Sequence, residues 1–374
     1  MKKLLVLALA TLLQASSIGI LIPVLTHFVL ELGSSQAMAP AIFSTFSLFA
    51  LFSTVIWGRM SDKIGRRKIL IYSAFGTVLS YVWLAMATEL WEVFASRAFA
   101  GLMAGWFGCS YAYVADVTDE ENRAKGMGLI GAFLGLGFVT GPALGAILVS
   151  TDNYYMAGWG ATVTGLMSLL LAIFFIKEPS THRSTIVPSF KVLFNTDKVR
   201  TVLYYVFFSS IVFTAVEGSY ALYLYNVFGA SATQIGYVLI FAGLTNIFMQ
   251  GRGTFLLVKR FGEENILILS VLIKMIGLYS IIHIEYVGMY VPMTIIGVGM
   301  GLYFPSVNAL ASKKAPETLK GSMSGAIQSI QSFARVIAPA SAGLLMVQVS
   351  LTAPYTIVLV LSIIPLTLAY KLRR

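Results

Sequence analysis

The chain has 374 residues, of which 57% are hydrophobic and only 11% charged, against roughly 25% charged in soluble domains. So few charges cannot build a water-facing surface, and the formal charge of +10 then reports basic membrane loops rather than a nucleic-acid partner. One cysteine, Cys109, and three scattered histidines, His27, His182 and His283, exclude a disulfide and offer no metal-ligand spacing, so no cofactor is expected.

A membrane-spanning helix needs about 20 mostly apolar residues, and twelve such runs follow one another along the chain. They lie near 4–30, 39–57, 69–87, 90–114, 127–149, 154–176, 202–227, 234–258, 266–284, 287–310, 323–347 and 354–370. The opening MKKLLVLALATLLQASS has the basic and apolar regions of a signal peptide, with a cleavage site near Ser17. The apolar run continues to Leu30, however, and removing it would leave eleven spans; it reads as the first span. The longest connection, 177–200, sits at the midpoint. The expected organisation is an N-terminal six-helix half at 1–176, a linker at 177–200 and a C-terminal half at 201–374.

Lysine and arginine set the orientation. If alternate loops are counted from a cytoplasmic N-terminus, 22 of the 26 basic residues fall inside and none in an outside loop. The other four, Arg97, Arg252, Lys274 and Arg335, lie within spans. Both termini are therefore expected in the cytoplasm. A shift of 197 residues places Gly65 on Gly262, Arg123 on Lys320, Gly128 on Gly325 and Pro142 on Pro339. Such a parallel duplication predicts a solute path between two six-helix halves, with access alternating as one half rocks against the other.

Between spans 2 and 3 stands Gly58-Arg59-Met60-Ser61-Asp62-Lys63-Ile64-Gly65-Arg66-Arg67-Lys68. With twelve spans and the repeat, it resembles the cytoplasmic signature of the major facilitator superfamily over essentially the whole chain. The fold that this implies is an all-α polytopic membrane protein of twelve helices. Gly58 and Gly65 would permit a tight turn, while Asp62 could accept hydrogen bonds from a helix N-terminus of the opposite half or pair with Arg123. The blander reading is that Arg66, Arg67 and Lys68 only fix topology. The second half carries Lys259-Arg260-Phe261-Gly262-Glu263-Glu264 at the equivalent place, without the aspartate, so an asymmetric latch is expected.

Two further stretches resemble the drug and proton antiporters of that superfamily. Span 4 carries Arg97, Gly101 and Gly105 on one face, an arrangement whose arginine lies in the family's cavity and affects proton movement. Span 5 carries Gly137, Gly141, Pro142 and Gly145, with Ala146 where the family has a last glycine. Its small surface would let the two halves approach closely, and the resemblance implies efflux. Glycines alone also serve close packing within membranes.

Charges at the bilayer centre cost about 2.5–3.5 kcal/mol each and mark cavities or partners. Glu217 is the one acid deep within a span; Asp116 and Glu31 lie at span ends, where water is available. Glu217 has two readings, a proton carrier or a fixed partner for Arg335, Lys274 or Arg97. Gln328, Gln331 and Arg335 form one polar stripe on span 11, and Asn246 with Gln250 a shorter one on span 8. Lys274 either lines the path or packs within its own half. The function these residues support is proton-coupled efflux of small drugs or metabolites by a multi-pass inner-membrane protein. Transport of an organic anion or zwitterion, held by Arg97 and Arg335, is the alternative. Resemblance to the family implies a monomer, and no enzyme chemistry is recognisable.

Overall fold

Backbone polar groups in hydrocarbon find partners only within helices or closed barrels, and here the apolar runs take the helical solution. The computed structural model describes residues 2–149, 153–179, 197–314 and 320–373, and the regular structure among them is entirely helical. The first eight helices are α1 (Lys2–Leu21), α2 (Leu25–Glu31), α3 (Ala41–Ile64), α4 (Arg66–Ala85), α5 (Leu90–Leu102), α6 (Trp106–Val117), α7 (Glu120–Leu148) and α8 (Tyr155–Phe175). They are followed by α9 (Asp197–Phe228), α10 (Ala232–Phe248), a π-helical turn (Met249–Gly253), α11 (Thr254–Phe261), α12 (Glu263–Ile282) and α13 (Ile284–Val287). The last four are α14 (Val291–Lys314), α15 (Lys320–Gln348), α16 (Ala353–Leu361) and α17 (Ile363–Arg373).

Ten helical stretches among the described residues are long and apolar enough to cross a membrane. The two expected runs outside that set are both interrupted. The run at 90–114 breaks between α5 and α6, where a side chain on Gly105 would collide with the Trp57 ring. The run at 234–258 passes through the π turn, after which Thr254 Oγ1 lies within hydrogen-bond distance of the carbonyl of Met249, the turn's first residue, at 2.7 Å and of Gly301 on α14 at 3.0 Å. Prolines explain two finer breaks, because Pro23 and Pro365 lack the N–H that would reach Gly19 and Leu361. Outward faces remain apolar: Phe174 and Phe248 are each 72% exposed, as suits side chains that meet lipid.

The chain divides into two compact units, 1–35 with 45–184 and 229–237, and 36–44 with 185–228 and 238–374. In the first, α1 packs on α7 and α8, and α4 packs on α5, α6 and α8. Its core gathers Leu7, Ile69, Leu70, Trp106, Tyr113 and Ile130. In the second, α9 packs on α15 and α17, and α12 on α14, α16 and α17. The duplication read in the sequence recurs as geometry. Helix α12 begins and ends 197 positions after α4, and Pro142 lies against Gly19 as Pro339 lies against Gly218.

Candidate functional site

Helix α3 runs on to Ile64, so Gly58 is an ordinary helical residue with open space around it, and the turn rests on Gly65 alone. Gly65 adopts φ +106°, a region that penalises any side chain. A Cβ there would also meet the Glu178 carboxylate 2.7 Å away. That carboxylate accepts hydrogen bonds from the backbone N–H of Arg66 at 2.6 Å and of Arg67 at 3.0 Å. It thereby caps α4, whose first residues are cations set against the positive end of the helix dipole.

Arg66 is 3% exposed. Its guanidinium reaches Asp62 Oδ1 at 2.6 Å, Ser61 Oγ at 2.5 Å and, through Nε, Asp116 Oδ2 at 2.8 Å. The planar fork presents separate nitrogens to acceptors on two helices, Nη1 to α3 and Nε to α6, a spacing that lysine's single nitrogen does not reproduce. Two expectations are corrected here. Asp62 pairs with Arg66 rather than with Arg123, whose Nε is buried without a hydrogen-bond partner. Asp116 is not a water-bathed span end, since its side chain is 1% exposed. Arg67 donates to Ile173 O at 2.7 Å, so it fastens α4 to α8 besides contributing charge. Asp119 caps α7 by accepting from the Asn122 N–H at 2.9 Å, and this backbone bond holds its carboxyl below the usual range.

The same corner recurs 197 positions later with its charges exchanged. Gly262 takes φ +79°, Lys313 Nζ meets Glu263 Oε1 at 2.5 Å, and Lys314 Nζ meets Glu264 Oε1 at 3.2 Å. Glu263 stands where Arg66 stood, and Lys313 where Asp116 stood. The second half therefore has a tie after all, made without an aspartate. Its acids sit at a helix N-terminus and need no external cap. Because Lys313 is 63% exposed, Glu263→Lys alone is expected to cost only about 1 kcal/mol. Combining it with Lys313→Glu should restore most of the loss, as thermal unfolding in detergent will measure.

Gly137, Gly141 and Gly145 face α1 within their own unit, where added side chains would strike Ala15, Gly19 and the Ile20 carbonyl. These three glycines thus pack within one half, where Ser16 Oγ and Thr140 Oγ1 bond across the contact at 2.8 Å. Beyond it, Ala146 and the Pro142 carbonyl receive Gly236 of α10, and Thr233 Oγ1 donates to Ala146 O at 3.2 Å, so the expected approach of 201–374 to this helix is made at its Ala146 end, by the 229–237 segment that packs with the first unit. Arg97 is 4% exposed. Its guanidinium lies 5.3 Å from the Tyr81 ring centre and donates to Ser80 Oγ at 3.2 Å. Gly101 and Gly105 serve packing against α3.

The second unit holds a small cavity of about 10 Å³ between α9, α14 and α15, room for about one water. Ser209, Ser210, Thr214, Tyr303, Gln331 and Arg335 line it, together with Phe213, Met300 and Phe304. Ser209 Oγ and Tyr303 Oη are buried without a well-aligned hydrogen bond, although Tyr205 stands beside the first and Ser210 and Gln331 beside the second. Gln331 is 9% exposed, whereas Gln328, one turn away, is exposed and outside the lining. Glu217 is half-buried on α9, near enough to Arg335 to interact electrostatically. The two form no ion pair within 4.0 Å. Asn246 and Gln250 bond to each other at 2.8 Å, and the Arg252 side chain lies outside the described residues. Lys274 is 4% exposed, with Nζ 4.6 Å from the centre of the Tyr303 ring. Its stem occupies the space that a side chain on Gly299 would fill. The hydroxyls of the cavity escaped the sequence reading because serine and tyrosine are common in membrane helices; only their convergence on one cavity distinguishes them.

Residues 7–339 match the sequence profile of the Major Facilitator Superfamily. The chain is 27% identical over 350 residues to the class H tetracycline resistance protein of Pasteurella multocida, covering 90% of this chain and 87% of that one. It is also 27% identical over 340 residues to the class C tetracycline resistance protein of Escherichia coli, covering 87% and 85%. Among solved structures, the human organic anion transporter MFSD10 superposes with a TM-score of 0.75 at 21% identity, covering 98% of each chain.

Proposed function

The chain belongs to the Major Facilitator Superfamily, a family of multi-pass membrane transporters and not enzymes, and on that premise we propose that it exports small drugs or metabolites in exchange for protons. It works by alternating access as a monomer, with twelve spans and both termini on the cytoplasmic side of the inner membrane. The halves that rock are 1–176 and 201–374, joined by 177–200. The observation that carries this reading is an acid, Glu217, beside the cationic end of a hydrogen-bonding cavity inside otherwise apolar helices. A carboxyl in that position changes its charge when a solute or a proton arrives. The likeness to tetracycline resistance proteins supports export.

The test is proton flux in inverted vesicles that hold an imposed pH gradient. Tetracycline is expected to dissipate the gradient in the wild type, and Glu217→Gln to cut the response to roughly a tenth, the effect of about 1.4 kcal/mol in the coupling. Unchanged coupling in that variant would make Glu217 a fixed partner of Arg335. A second reading, organic anion transport, draws on Lys274 and Arg97, which have no acid partner among the described residues, and on the MFSD10 likeness.

A further inference from the structure

We propose that the second unit carries a phospholipid site, a cleft between the starts of α10 and α14 that takes part of one acyl chain from the surrounding bilayer. The inference goes beyond export and needs only that the chain spans a membrane.

The cleft lies where two neighbouring helices part. Contacts of Ala242 with Gly297 and of Asn246 with Gly301 step together along both helices, so α10 and α14 run side by side in the same direction. A side chain on Gly297 would strike the Ala242 carbonyl at 2.3 Å, and one on Gly301 the Asn246 carbonyl at 2.7 Å; glycines permit this close backbone approach. Toward its start α10 leaves α14, and its first residues, up to Tyr237, pack with the first unit, Gly236 against Ala146. The space left beside α14 is about 480 Å³, lined by Phe241, Tyr290, Val291, Thr294 and Ile295. That volume falls within the roughly 300–1,000 Å³ of small-molecule sites.

The chemistry of the lining selects the occupant. Thr294 Oγ1 donates to the Tyr290 carbonyl at 2.7 Å, and Thr245 Oγ1, at the closed end, bonds to the Ala242 carbonyl of its own helix at 2.9 Å. The Tyr290 and Phe241 rings meet edge to face across the cleft, 5.6 Å between centres. Apart from the Tyr290 phenol, what remains is hydrocarbon and ring surface, and a tyrosine at the start of a span suits the headgroup boundary. A solute destined for release into water carries polar groups, which would stand unpaired in such a place. An acyl chain has none to satisfy.

Position points the same way. On α10, Tyr237, Phe241, Leu244 and Phe248 recur at helical spacing and are 45% to 72% exposed, so the cleft opens on an apolar flank. In a bilayer such a flank meets lipid tails, and the hydrocarbon region holds no water to fill a gap. An unfilled cleft would deprive its lining of dispersion contacts, whereas a tail lying in it packs against two rings. Residues 290–295 span about 8 Å along α14, enough for part of one chain.

The test is photolabelling of the full-length protein in phosphatidylcholine nanodiscs that contain a small share of phosphatidylcholine with a diazirine in the upper half of one acyl chain. Labelled peptides are mapped by mass spectrometry. Met156, Trp159 and Val163 serve as the reference, an apolar face 43% to 56% exposed near the start of α8. Labelling of Phe241 and 290–295 is expected to exceed the reference about threefold or more. Thr294→Trp and Val291→Phe, which fill the cleft, should each bring it down to the reference level, while Thr294→Val leaves it unchanged. Reference labelling retained in each variant shows that the protein is folded. Equal labelling of the two places in the wild type, or an excess that survives both filling variants, overturns the proposal. Displacement of the label by excess tetracycline overturns it too, and would make the cleft a solute site.

Discussion

Arg66→Leu should reduce transport to roughly a tenth or less, the consequence of about 1.4 kcal/mol or more lost from one conformational state, and should lower the melting temperature by several degrees. The guanidinium is the hub at which Asp62 of α3, Ser61 and Asp116 of α6 meet at the first turn of α4. Removing it leaves Asp116, 1% exposed, without its cation, and losing one partner of a buried pair costs about 3–5 kcal/mol. Arg66→Lys should recover only part of this, because a single ammonium nitrogen does not match acceptors that Arg66 reaches through two separate nitrogens. Thermal unfolding in detergent, read beside drug efflux from cells that express each variant equally, checks both halves of the expectation. Full activity in Arg66→Leu would mean that the tie is decorative.

The second large effect is expected at Gly141. A Cβ there would sit 2.6 Å from Gly19 Cα and 2.7 Å from the Ser16 carbonyl, both of them backbone atoms that cannot swing aside. Gly141→Ala should therefore cost about 1–3 kcal/mol by overpacking, and Gly141→Val more, since α7 must then move away from α1. That movement would also break the Ser16 to Thr140 bond. Gly128, which has open space around it, is the comparison site, and Gly128→Ala should leave the melting temperature unchanged. Equal melting temperatures for the two alanine variants would show that the close approach does not exist.

Much of the fold was legible because hydrocarbon leaves the backbone few choices. Runs of apolar residues at spanning length had to be helical, and ten of the twelve contain a stretch long and apolar enough to cross a membrane. What escaped was local. At the break before Gly105 the Trp57 ring, 48 positions away, fills the space that a side chain would take, and nothing in the spacing of 90–114 announces it. Beside the π turn after Phe248, the bond from Thr254 Oγ1 to the Gly301 carbonyl is likewise a contact between residues far apart in the chain. At the site, the motif around Asp62 was readable, but its partner was not. An arginine four residues on competes with Arg123 for the same carboxylate, and only the fold places Asp116 and Glu178 where they decide the outcome. The stripe of Gln331 and Arg335 came through because polar residues at helical spacing are costly on a lipid face. Gln328 shares the spacing yet lies outside the cavity, since a stripe defines a face of a helix and not how far a cavity extends along it.

The exchanged charges at the two glycine corners bear on how such a chain reaches its native state at all. A duplicated protein makes two sets of helices that resemble one another, and while it is being threaded into the membrane each helix meets both its own partner and that partner's double. If α4 docked on α14, Arg66 would face Lys313; if α12 docked on α6, Glu263 would face Asp116. Each wrong pairing brings like charges together where each right one brings opposites, so the inversion lets kindred halves assemble without exchanging members.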